Sequence, residues 1–385
     1  MNNAIDITKG HTGGAFERWA CAQGTGTPTP AYVYDVGALR ARVAELQAAF
    51  SGFGAQLYFA SMANDRPEIL QILAGLGLGA CVNSPKHLAL ALEAGFPHDH
   101  IHFTSTGLPP ATLRLLRERD IMLNIDSFDQ IEAWAAVGGV KAGVRINAAS
   151  LGAGRPFDRM GVAAADLQEL LAFATRCGVT VEGLHVYVGT NILNPGEILP
   201  TLDAFFALGA GISELRYVNI GGGIGVDYSY EGADFDVALY ADGLAGFAAE
   251  LRGKMPHRID VIVEPGRGLA ASCGKMVTRV TAEKTLSGIR YVGVDASIAT
   301  FPRPFHHPES PHRIRVLNPE GQSAEASDCI VCGCTTFSRD ILGEAKLPRS
   351  LEVGDLLVID DAGAYSQSMM SRFLGQPEPH TFFLE

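Results

Sequence analysis

The sequence predicts an α/β chain with an N-terminal (β/α)8 barrel of the TIM type followed by a C-terminal β domain. Between about Ala31 and Glu264, eight short apolar runs alternate with amphipathic stretches, the pattern of parallel strands joined by helices. After Pro265 the texture changes to β-rich segments separated by turn residues. The length of 385 residues agrees, because one hydrophobic core rarely organises so long a chain.

Each element can be read in order. The runs are Leu57–Ala60, Gly79–Val82, Ile101–Phe103, Met122–Ile125, Ala142–Ile146, Gly183–Val188, Tyr217–Ile220 and Val261–Glu264. Between them, Ala38–Phe50, Pro67–Leu76, Lys86–Ala94, Ala111–Glu118 and Ala165–Cys177 carry helical periodicity. Beyond the barrel, Lys275–Thr281, Arg290–Val294, His312–Leu317, Ala326–Val331 and Leu356–Asp360 read as strands. The expected division is residues 1–30 joining the C-terminal β domain, 31–264 as the barrel and 265–385 as the β domain.

Composition narrows the function. A net charge of −12 disfavours nucleic acid, which requires a basic face. No apolar run approaches membrane-spanning length, and the opening MNNAIDITKG lacks the charged start and apolar stretch of a secretory signal. Seven scattered cysteines do not form a disulfide framework, so a reducing, cytoplasmic setting is expected.

In a barrel of this kind the residues just after each strand form the active face. Two motifs fall there. Val-Asn-Ile-Gly-Gly-Gly-Ile-Gly (218–225) ends a strand in glycines, whose backbone N–H groups can approach a phosphate unhindered. A tight βα turn is the plainer reading, and the spacing is not that of a dinucleotide fingerprint. Val-Glu-Pro-Gly-Arg-Gly (263–268) places a carboxylate at a strand end, where it can hold a protonated ring nitrogen; a Glu264–Arg267 ion pair is the alternative.

The order of further motifs makes the chain similar, nearly end to end, to the fold type III decarboxylases acting on ornithine, arginine and diaminopimelate. Ala-Tyr-Val-Tyr-Asp (31–35) resembles the entry strand and Tyr-Phe-Ala-Ser-Met-Ala-Asn (58–64) the cofactor-lysine strand. Asn-Ile-Asp-Ser (124–127), Val-Arg-Ile-Asn (144–147), Arg-Met-Gly-Val (159–162) and Gly-Leu-His-Val-Tyr-Val-Gly-Thr (183–190) follow in family order. The C-terminal part adds Arg-Pro-Phe (303–305), Gly-Cys-Thr-Thr-Phe-Ser-Arg-Asp (333–340), Val-Gly-Asp (353–355) and Asp-Ala-Gly-Ala-Tyr (361–365).

That resemblance implies pyridoxal 5′-phosphate bound in the barrel mouth of a homodimer with shared sites. Gly222, Gly223, Arg267 and Tyr365 would surround the phosphate, Gly221 and Gly266 would also bind the cofactor, and Glu264 would face the pyridine nitrogen. His185 or Tyr187 would lie at the ring face. Thr336 and Asp340 would reach the partner subunit's cofactor. Arg303, His306 and His307 fall near the family's substrate-contact loop, so they line the pocket or, for the histidines, sit on the surface beside prolines.

The resemblance breaks at the lysine itself. Met62 stands at that position and has no amine to hold the cofactor covalently. Thr336 stands where the family has a proton-donating cysteine, Cys81 replaces an aspartate, Lys86 and His87 replace a Gly-Glu pair, and Leu374 replaces an asparagine. Three readings stay open: a lysine exchanged to trap a complex, diverged chemistry on an amino acid or amino-acid conjugate, or a catalytically silent binding paralogue. Lys86 is the one lysine just beyond a barrel strand and could substitute, although a lysine there is more often solvated. Cys329, Cys332 and Cys334 with His306, His307 and His312 offer zinc ligands, but their alternation also fits a strand, and no metal is expected.

Overall fold

A computed structural model of the chain describes residues 15–22, 26–152, 158–232, 234–317 and 325–385. Its first strand, β1 (Ala31–Asp35), lies outside the barrel. The sequence placed residues 31 onward in the barrel; instead the described residues within 1–42, 228–232 and 269–385 form one compact unit, and those within 43–227 and 233–268 form the other.

The second unit is a closed parallel barrel of β2 (Ala55–Ala60), β3 (Gly79–Val82), β4 (Ile101–Thr104), β5 (Met122–Ile125), β6 (Lys141–Ile146), β7 (Thr180–Val186), β8 (Tyr217–Asn219) and β9 (Asp260–Val263). Pairing of Ala55 with Val261 closes the ring. These strands are apolar almost throughout because helices cover one face and the barrel interior fills the other. Helix signals in the sequence act locally. Ser84 accepts from the His87 N–H at 3.1 Å ahead of helix Pro85–Ala94, and Gly95, at φ +95°, ends it. Ser127 caps helix Phe128–Ala136 and Asp236 caps Val237–Lys254 in the same way.

Inside the barrel, glycines make room for two phenol rings. A Cβ on Gly183 would lie 2.0 Å from the Tyr217 ring, and one on Gly79 would lie 2.5 Å from Tyr58. Tyr217 donates to Asn124 Oδ1 at 2.7 Å, and Asn124 Nδ2 donates to Thr104 Oγ1 at 2.9 Å. This chain of partners satisfies polar groups buried on the barrel axis.

The other unit contains β10 (Gly274–Leu286), β11 (Ile289–Val294), β12 (Ile314–Val316), β13 (Ala326–Cys332), β14 (Ile341–Pro348), β15 (Leu356–Ile359) and β16 (His380–Leu384). Their sheet runs β12-β15-β10-β11-β13-β14, and β1 pairs antiparallel with β10 and parallel with β16. Helix Ala15–Cys21 packs Phe16 and Ala20 on Val33, Val277, Leu317, Leu356 and Val358. Val33 therefore finds its apolar neighbours in this sheet, which is why β1 belongs here.

Candidate active site

The carboxyl ends of β3, β7, β8 and β9 converge on Glu264. Registers align His185 with Asn219 and Asn219 with Ile262, so Glu264, two residues beyond Ile262, shares its face of the pleat. Glu264 is buried; its Oε1 accepts from Asn219 Nδ2 at 2.6 Å, and its Oε2 lies 3.5 Å from His185 Nε2. The Cys81 thiol also hydrogen-bonds to this carboxylate.

Burial alone would raise the Glu264 pKa, but the attraction of the nearby His185 ring and the donors of Asn219 and Cys81 outweigh it and hold it at about 2. Burial lowers His185 against the pull of Glu264, and burial with the neighbouring carboxylate raises the Cys81 thiol. The site thus presents an ionised carboxylate beside a protonated thiol and an imidazole that burial makes less basic.

The glycine run folds back onto this cluster. Asn219 Oδ1 accepts from the Gly221 N–H at 2.9 Å, and Gly221 O accepts from the Glu264 N–H at 2.7 Å. Gly221 and Gly223 have φ of +67° and +103°, a region that favours glycine. A Cβ on Gly222 would meet the Glu264 carbonyl at 2.6 Å. Close packing therefore explains the glycines in part. Among the described residues the Gly222 and Gly223 N–H groups donate to no acceptor, and both residues are half-buried. That is a pair of donors fit for an anion.

Other expected residues fall around this centre. Gly266 and Arg267 are buried directly after Glu264. Tyr187 is half-buried, with the Arg145 guanidinium 5.9 Å from its ring centroid. Met62 lies two residues beyond the end of β2 and is half-buried. Lys86 is exposed and paired with Asp65 at 2.7 Å, the solvated arrangement. Cys81, noted above only as a departure from the family pattern, and Asn219, noted only as part of the glycine motif, are partners of Glu264.

The remaining expected residues belong to the β unit. Thr336 is exposed in the β13–β14 loop, while Asp340 is buried and accepts from the Ile298 and Thr335 N–H groups and the Thr335 hydroxyl. Arg303 is 1% exposed, donates to Ser310 and lies 3.7 Å over the Tyr228 ring. His306 is exposed and His307 pairs with Glu309 at 3.2 Å. Tyr365 is half-buried with φ +53°. Cys329 donates to Ala345 O and the His312 ring meets Asp360 O; among the described residues no cysteine, histidine or carboxylate group could hold a metal. No described helix is long and apolar enough to cross a membrane.

Residues 36–271 match the family model for the pyridoxal-binding domain of pyridoxal-dependent decarboxylases. Diaminopimelate decarboxylase of Helicobacter pylori is 32% identical, over 91% of this chain and 89% of that protein. The enzyme of the same name from Methanothermobacter thermautotrophicus is 28% identical, over 91% and 85%. The crystal structure of the H. pylori diaminopimelate decarboxylase with L-lysine superposes with a TM-score of 0.85 over 96% of this chain and 94% of that one, at 28% identity. Pyridoxal 5′-phosphate is the cofactor of these enzymes, and the free backbone donors and the buried carboxylate fit its phosphate and ring nitrogen. The chain belongs to the pyridoxal-dependent decarboxylase family.

Proposed function

We propose that this protein binds pyridoxal 5′-phosphate without a covalent lysine link and acts as an atypical decarboxylase-family protein on an amino acid or amino-acid conjugate of the diaminopimelate or ornithine type. The observation that carries the reading is the ionised Glu264, held by Asn219, Cys81 and His185 beside a glycine loop with N–H groups to donate. When bound, the cofactor supplies an electron sink for the carbanion left as carbon dioxide departs.

The chain's own residues have distinct tasks in this reading. Glu264 holds a proton on the ring nitrogen, because its carboxylate stays ionised across the physiological range. Gly222 and Gly223 orient the phosphate through backbone donors, with Gly221, Gly266, Arg267 and Tyr365 completing the cradle. His185 or Tyr187 packs on the ring face. Met62 contributes length but no amine. Thr336, exposed on its loop, or a water returns a proton at the carbon that loses the carboxyl group. Asp340, bonded to Thr335 and to the Ile298 N–H, holds the loop that carries Thr336. Following the family resemblance, the assembly is a homodimer in which that loop serves the partner's site.

A second reading is a catalytically silent, cofactor-binding paralogue. Met62 and Thr336 favour it, since both alter the groups that exchange amines and protons. Absorbance titration with pyridoxal phosphate, followed by measurement of carbon dioxide released from diaminopimelate, ornithine, lysine and arginine, separates the two. Saturable binding with release supports the decarboxylase. Binding without release from any of them leaves the silent paralogue, and no saturable binding refutes both.

A further inference from the structure

The barrel has a second opening, at the end where its strands begin, and this mouth holds a cavity of about 440 Å³. Gln56, Met122, Lys141 and Asp260 line it from the starts of β2, β5, β6 and β9, so it lies away from the strand ends that carry Glu264. Its floor is aromatic. The His102 ring packs against Tyr58 at 4.9 Å and Tyr217 at 4.6 Å between centroids, with Ile262 beside them. Trp134 forms part of the wall, its indole donating to Lys141 O at 2.9 Å.

Two polar groups on this floor lack protein partners. The Tyr58 hydroxyl makes no hydrogen bond among the described residues, and His102 Nδ1 is buried with none. Burial holds His102 at a pKa of about 4, so the ring is neutral. Burial, with Asp99 and Asp260, raises the Tyr58 phenol, which places those carboxylates within electrostatic reach of it.

The rim is acidic. Asp99, Asp120, Glu182 and Asp260 face two cations, Arg117 and Lys141, and Lys141 is already taken by Glu182 at 3.0 Å. Asp260 pairs at 3.1 Å with Arg258, whose side chain is 74% exposed, and such a surface pair yields readily to a competing cation. No three-ligand group suited to a metal ion occurs among the described residues, so a bare divalent cation is a poor fit. Aromatic faces under carboxylates are instead the chemistry that recognises a positively charged nitrogen carrying carbon.

We propose that the strand-start mouth of the barrel binds a small organic ammonium, its nitrogen toward Asp99 and Asp260 and its carbon chain over Tyr58, Tyr217 and Ile262. An anion would meet the carboxylates. A purely apolar guest would desolvate the rim carboxylates without supplying a counter-charge. The site stands apart from the cofactor reading and holds whether or not that reading does.

Calorimetric titration of the full chain with butyltrimethylammonium tests this. Its quaternary nitrogen cannot condense with a carbonyl, so binding is not confused with cofactor chemistry. The expected result is saturable binding at one site per chain, with 1-butanol and hexanoate giving none at the same concentration. The double variant Asp99→Asn/Asp260→Asn should bind at least about tenfold more weakly, while Asp129→Asn, an exposed carboxylate that does not line the cavity, binds as before. If the double variant melts early, Asp120→Asn, on an exposed turn, should still weaken binding about threefold. Absence of saturation, equal binding of butanol or hexanoate, or undiminished binding in a folded rim variant overturns the proposal.

Discussion

Glu264→Gln probes the centre of the candidate site through two independent readouts. The wild-type carboxylate is 6% exposed, accepts from Asn219 at 2.6 Å and faces His185 and the Cys81 thiol. Burial raises its pKa, but those partners bring it from 4.5 to about 2. A depressed folded-state pKa means that the unfolded chain binds more protons as the solution is acidified. The stabilisation is therefore complete above about pH 4.5 and is lost as pH falls toward 2. That displacement corresponds to about 3 kcal/mol. In the variant, the amide accepts through one atom only, so a buried donor of Asn219 or Cys81 is left unmet at a cost of about 1–3 kcal/mol. Denaturant unfolding followed by circular dichroism should show the variant less stable at pH 7 and less sensitive to acid below about pH 4.5. Cofactor affinity is the second readout. Loss of a charge-assisted hydrogen bond to the ring nitrogen, worth about 1.5–3 kcal/mol, should weaken pyridoxal-phosphate binding by about tenfold to about a hundredfold in an absorbance titration. Unchanged affinity together with parallel acid-stability curves would refute the reasoning for this residue.

Met62→Lys should create a bond between position 62 and pyridoxal phosphate that borohydride makes permanent and peptide mapping locates; bound cofactor with no such bond would mean that residue 62 does not face the aldehyde. Gly222→Val should weaken cofactor binding, because its Cβ meets the Glu264 carbonyl at 2.6 Å and the loop must shift; equal titration curves would count against the cradle. Tyr230→Phe removes a donor to the buried Asp361 carboxylate and should cost about 1–3 kcal/mol in a thermal melt, with no change expected if that contact is idle. Sedimentation at micromolar concentration should give twice the chain mass, and a strict monomer that binds cofactor would contradict the shared-site arrangement.

Much of the barrel was legible because parallel strands buried on both faces are written as near-continuous apolar runs. The run Gly79–Val82 coincides with β3, and Met122–Ile125 with β5. Pro85 and Gly95 punctuate a helix as their chemistry dictates. Ala31–Asp35 read as a strand through its resemblance to the family's entry strand, yet its sheet was not legible, because the partners that receive it lie at 274–277 and 380–384. Arg303 read as a substrate contact through the resemblance of Arg-Pro-Phe to the family's substrate-contact loop; its stacking on Tyr228 depends on a segment far away in sequence.

By itself the sequence determined the strand and helix pattern, the glycine run with its backbone freedom, the Glu-Pro-Gly-Arg turn and the methionine at position 62. These are local properties, set by side-chain periodicity and the conformations each residue permits. Only the tertiary structure decided the state of Glu264. Its partners Cys81, His185 and Asn219 come from three other strands, and no local pattern encodes that they meet. Charge state follows from burial and from the donors brought within reach, and both quantities exist only once the barrel has closed.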